Sequence, residues 1–178
     1  MLSYPDAYLE YLFHFHGSRD FFECHEIMEE YWKEHPRDPH SRTYVALIQI
    51  AVAMYHHRRG NVAGAVKMVQ ASLRNLQDDA AASLGLDAAG LRRMLQCRLE
   101  SLTRAEAPYA DMNLPITDPG LIRQVAAICE ERSAAWCRSS DMSDPELIHR
   151  HRLRDRSGVI EERQRAIKER SRAKGQRE

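Results

Sequence analysis

The chain has 178 residues, of which 43% are hydrophobic and 29% charged, with 26 basic and 26 acidic side chains. That length fills one core with room for an appendage but not two domains, and the composition excludes global disorder. No segment approaches the roughly twenty apolar residues of a membrane span, and the start Met1-Leu2-Ser3-Tyr4-Pro5-Asp6 lacks the basic and apolar regions of an export signal, so a cytoplasmic protein without membrane contact is expected.

In chain order the pattern is helix after helix, without strand alternation. A first helix is predicted from about Asp6 to His16, carrying Leu9, Leu12 and Phe13 at helical spacing and ended by Gly17-Ser18. Asp20 is placed to cap a second helix over Phe21 to Glu34, which must stop before Pro36 because proline breaks the hydrogen-bond ladder. A third helix is predicted from Arg42 to Arg59; Gly60 suits the left-handed position that closes it, and Asn61 caps a fourth helix at once, so the two form an antiparallel hairpin. A fifth helix covers Ala88 to Arg104, and Ala107 to Thr117, with two prolines, is an irregular connection. Asp118-Pro119 then starts a sixth helix, expected to reach Cys137 because proline is well suited to the first helical position.

The charge is unevenly divided. Residues 149–178 hold eleven Lys/Arg and five Asp/Glu, a net of +6, whereas the preceding 148 residues carry a net of −6. The expected architecture is therefore an all-α compact bundle of about five or six helices over residues 1–140, with a basic, charged and partly helical extension over 141–178. The four cysteines, Cys24, Cys97, Cys129 and Cys137, have neither zinc-ribbon nor disulfide-framework spacing and read as small core residues.

Two neighbouring helices carry the chemistry. On the second helix, Phe21, Cys24, Ile27, Met28, Tyr31 and Trp32 make an apolar arc. His25 and Glu29, four residues apart, lie on its border, where a side chain is half-buried. The third helix is apolar all round from Tyr44 to Tyr55, interrupted by Gln49 and followed by His56, which share a face two turns apart. Buried polar groups need partners, since an unpaired one costs about 1–3 kcal/mol. His25, Glu29, Gln49 and His56 are accordingly expected to converge.

Two readings of that cluster stay open. In one it is a hydrogen-bond network that locks two helices together. In the other His25, Glu29 and His56 bind zinc, manganese or iron, with Gln49 as a supporting polar group. Glu26, next to His25, is then placed as general base on a metal-bound water. The run His25-Glu26-Ile27-Met28-Glu29 shares its start with the H-E-x-x-H helix of zinc proteases but has Glu29 where they have the second histidine.

The combination Phe21-Phe22-Glu23-Cys24-His25-Glu26, Glu29-Glu30 and Trp32, then Leu47-Ile48-Gln49 through Ala53, Tyr55-His56, Arg59-Gly60-Asn61 and Gly64-Ala65, resembles the family named domain of unknown function 309. The resemblance is strongest over residues 5–80. It implies a small all-helical fold and, from a label some members carry, a metal-dependent hydrolase whose site falls on His25, Glu26, Glu29 and His56.

Other features yield less. His57 and Arg58 face away from His56 and read as a solvated helix end interacting with the dipole. Trp136 reads as core filling. The basic tail could neutralise phosphates, but it has no aromatic residues for base stacking and its Glu and Arg at helical spacing fit a self-paired solvated helix. Three functions follow: a metal-dependent hydrolase, a non-catalytic helical interaction module, and a nucleic-acid-associated factor acting through the tail.

Overall fold

A computed structural model describes residues 4–104 and 108–153, with side chains described through His151. Among these residues there are eight α-helices and no named strand: α1 (Asp6–Phe13), α2 (Phe21–Glu34), α3 (Ser41–Arg58), α4 (Val62–Asn75), α5 (Asp78–Ser83), α6 (Ala88–Thr103), α7 (Pro119–Glu131) and α8 (Pro145–Leu153). The protein is all-α. No described helix is long and apolar enough to cross a membrane.

Local chemistry sets most helix ends. The carboxylate of Asp20 accepts the Glu23 amide at 3.0 Å, Asn61 Oδ1 accepts that of Gly64 at 3.0 Å, and Asp87 Oδ1 that of Gly90 at 2.8 Å. Each cap satisfies an amide that the first helical turn leaves without a partner. α3 closes on Gly60 at φ +74°, with Gly60 N–H donating to His57 O and Asn61 N–H to His56 O, both 2.9 Å. This paired closure needs a left-handed residue, and glycine provides it without steric cost.

Three elements differ from expectation. The first helix becomes a π-helical turn over His14–Ser18, which delivers Arg19 in a left-handed conformation at φ 59°. A short α5 occupies Asp78–Ser83, too brief to show a hydrophobic period. α7 stops at Glu131, six residues before Cys137, because Ser133 turns left-handed at φ 54° and Ala134 N–H bonds back to Cys129 O at 2.8 Å.

α3 is the axis of the bundle, packed between α2 and α4. Its buried residues include Tyr44, Leu47, Ile50, Ala51, Met54 and Tyr55 on all sides. α1 and α7 cover one flank, joined by the Arg132 fork to Glu10, with Nη1 2.7 Å from Oε2 and Nη2 2.6 Å from Oε1. Exposed pairs of this kind orient helices more than they stabilise them.

One compact unit spans Met1–Ile148 and a second begins at His149. The first continues past residue 140: Leu147 is buried, and its carbonyl accepts from Arg58 Nη2 at 2.9 Å. Arg58 also donates to Arg19 O at 2.7 Å and to Ser140 Oγ at 3.1 Å. The helix end expected to be solvated is therefore interior, with His57 and Arg58 each 4% exposed and the His57 ring edge-on to Tyr109. The cysteine reading needs the same kind of correction. Cys24 and Cys129 are buried, but Cys97 is exposed and Cys137 half-buried. Residues 154–178, which hold most of the basic tail and its proposed nucleic-acid contacts, lie outside the described residues.

Candidate metal centre on α2

The helical period brings His25, Glu26 and Glu29 to one edge of α2. Phe21, Cys24 and Met28 are buried, and that anchors the helix and sets its rotation. His25, Glu26 and Glu29 then fall at the border, 28%, 32% and 34% exposed. His25 Nδ1 lies 3.1 Å from Glu26 Oε1, and His25 Nε2 lies 3.3 Å from Glu29 Oε2. Lys33, one further turn along, places Nζ 3.1 Å from the other oxygen of Glu29.

Each of the three residues offers a ligand atom, and those atoms lie within 4.8 Å of one another. Among the described residues this is the group of histidine, cysteine and acidic side chains that meets that spacing. Ligands about 2.0–2.2 Å from a tetrahedral ion sit roughly 3–3.5 Å apart, so the three atoms, up to 4.8 Å apart, would have to draw together by rotamer changes to share one cation. The Phe22 ring stands 6.2 Å from the His25 ring and 5.9 Å from that of Tyr55, which makes an aromatic wall on the α3 side.

Gln49 and His56 have other partners. Gln49 Oε1 accepts from Asn75 Nδ2 at 3.0 Å, and His56 Nδ1 accepts from Asn61 Nδ2 at 3.1 Å. Both therefore serve the α3–α4 hairpin, Gln49 at the last residue of α4 and His56 at its cap. Burial and the neighbouring Arg59 lower the His56 pKa, which suits an imidazole used as an acceptor. His56 is not in the three-residue group, so the structure joins His25 and Glu29, adds Glu26, and leaves Gln49 and His56 on α3 bonded toward α4. Sequence reasoning missed Lys33, although its four-residue spacing from Glu29 was the available signal.

The family model described as a domain of unknown function, DUF309, matches residues 8–68, which contain the whole α2–α3 pair. A Bacillus subtilis (strain 168) protein, named uncharacterized protein YpuF, is 44% identical over 173 residues, covering 96% of this chain and 99% of its own. The chain belongs to the DUF309 family. No solved structure matches it. The DUF309 match takes in His25, Glu26, Glu29, Gln49 and His56 alike, so it does not distinguish the cluster on α2 from the bonds that Gln49 and His56 make to α4.

Proposed function

We propose that this DUF309 protein is a metal-binding helical protein in which His25, Glu26 and Glu29 hold one divalent ion, zinc, manganese or iron, and that the ion supports hydrolysis. The observation that carries the reading is the closeness of one imidazole and two carboxylates on a single helix edge, within 4.8 Å. Nitrogen and carboxylate oxygen together suit these three metals. Three protein ligands leave a position for water, and the half-exposed edge lets a substrate reach it. A bound ion would supply Lewis acidity and an ionised water near neutral pH. Lys33, 3.1 Å from Glu29, is a cation beside the cluster for an anionic group on the substrate.

With Glu26 as a ligand, an oxygen of Glu26 or Glu29 left off the ion would serve as general base. His56 is not required. The test is hydrolysis of bis(p-nitrophenyl) phosphate and p-nitrophenyl acetate by untagged protein loaded with each metal. Turnover that appears with metal and is lost in His25→Ala and Glu29→Gln supports the reading. Uptake of metal without any turnover would leave a binding protein and remove the hydrolase.

A second reading has its own observation. Both nitrogens of His25 already face carboxylate oxygens and Glu29 faces Lys33, which is a self-paired surface network. In that reading the protein is a non-catalytic helical interaction module, and added cations change nothing.

A further inference from the structure

A second constellation lies on a different face, in the loop between α2 and α3 and at the end of α5. His40 is the residue that opens α3. Its Nδ1 is 2.9 Å from Asp38 Oδ1, and the same oxygen accepts the His40 backbone amide at 2.7 Å. The carboxylate therefore holds both the backbone and the ring of His40, which fixes the ring about Cα–Cβ. On the far side of the ring, Nε2 is 2.8 Å from Ser83 Oγ. Carboxylate, imidazole and hydroxyl thus stand in line, with each contact at hydrogen-bond length.

With Asp38 accepting from Nδ1–H, the neutral ring presents Nε2 as an acceptor, and Nε2 points at the serine hydroxyl. That is the proton arrangement of an activated serine nucleophile. The hydroxyl has one competing acceptor, the carbonyl of Ala80 at 2.8 Å, so rotation about Cβ–Oγ switches the proton between backbone and imidazole.

The imidazole and the hydroxyl are also placed where a substrate could reach them. His40 and Ser83 line an open cavity of about 620 Å³ together with Gln77, Asp78, Asp79 and Arg92. Arg92 is tied at its place by Asp78 and by the carbonyls of Leu73 and Leu76, 3.2 and 3.1 Å away. The loop that supplies Asp38 and His40 is anchored by Trp32, whose indole donates to Ser41 Oγ at 2.8 Å. Ser83 itself is exposed.

We infer that Asp38, His40 and Ser83 form a nucleophilic site that hydrolyses small uncharged carboxylic esters through an acyl-serine, independently of any metal on α2. Ser83 Oγ attacks the ester carbonyl carbon while its proton passes to His40 Nε2. The bond to the alcohol oxygen breaks, and that oxygen takes the proton from Nε2. Water then attacks the acyl carbon, gives a proton to Nε2, and Ser83 leaves with that proton restored. Asp38 is the positioning residue.

The experiment uses the full chain, p-nitrophenyl acetate as substrate and a fluorophosphonate as covalent probe, both in the presence of EDTA. The expected result is hydrolysis above that of Ser83→Ala by about tenfold or more, with the probe's phosphonyl group found on the peptide containing Ser83. Asp38→Asn should lower kcat by a similar factor with KM unchanged, a split that a purely structural contact would not give. Circular dichroism melting of each variant separates lost chemistry from lost folding. If wild type and Ser83→Ala hydrolyse equally and Ser83 carries no label, the inference is overturned. If turnover vanishes with EDTA, the activity belongs to a metal and the serine reading fails.

Discussion

His16 Nε2 accepts the backbone amide of Leu114 at 3.0 Å while Nδ1 stands 3.0 Å from the carbonyl of Leu12. One ring thereby serves an acceptor role and a donor role at once, and only the neutral tautomer protonated on Nδ1 satisfies both. The ring is wholly buried and stacks on Trp136, with centroids 4.8 Å apart.

Burial holds the His16 pKa down from 6.5 to about 4. Between those values the unfolded chain binds a proton that the folded chain refuses, so folding stability rises with pH across this window. The contribution is complete above about pH 6.5 and is lost as pH falls toward 4, by about 3 kcal/mol at 1.4 kcal/mol per unit. Urea unfolding of wild type and His16→Gln from pH 7 to 4.5 checks this. The variant, less stable at pH 7, should show a visibly flatter slope, and equal slopes would assign the acid sensitivity to another group.

Arg19 is 1% exposed and donates to four oxygens: Phe15 O at 2.8 Å, Met112 O at 3.0 Å, Arg138 O at 2.6 Å and Asn113 Oδ1 at 2.6 Å. Its planar fork ties the π-helical turn to two later segments, and lysine cannot reproduce that geometry. Arg19→Lys should cost about 2 kcal/mol or more and Arg19→Met about 3–5 kcal/mol, since buried carbonyls then lose their donors. Denaturant midpoints measure both.

At Gly17 a Cβ would stand 2.9 Å from Cys129 Sγ and 3.2 Å from the Phe13 ring. Gly17→Ala should therefore destabilise by about 1–3 kcal/mol through overpacking. Part of that loss should return in the double variant with Cys129→Ala, as a coupling measurable in a double-mutant cycle. Strict additivity would mean that the clash is relieved elsewhere.

What the sequence made legible was chiefly local. Asp20, Asn61, Asp118-Pro119 and Gly60 announce helix ends because a cap acts within one turn. The spacing of His25 and Glu29 likewise guarantees that the two meet. The partners of Gln49 and His56 could not be read the same way: a wheel gives their shared face but not which helix covers it, and the tight hairpin gives that face to α4, through Asn75 and Asn61. His57 and Arg58 look solvated until distant segments, carrying Tyr109, Ser140 and Leu147, close over them. The end of α7 rests on Ser133 adopting a backbone region that serine seldom takes, for which no sequence signal exists.

Metal uptake separates an ion site on His25, Glu26 and Glu29 from a self-paired surface network. Untagged protein, stripped by chelator and dialysed, is titrated with zinc, manganese and ferrous iron near neutral pH while bound metal and the thermal midpoint are followed together. One equivalent should bind with at least one of the three and raise the midpoint, since a ligand of the native state stabilises by mass action, by about 2.7 kcal/mol at a hundredfold excess over Kd. Both effects should disappear in His25→Ala and Glu29→Gln and persist in His56→Ala. No uptake and no shift with any of these cations, or uptake that His25→Ala leaves unchanged, would contradict the metal centre.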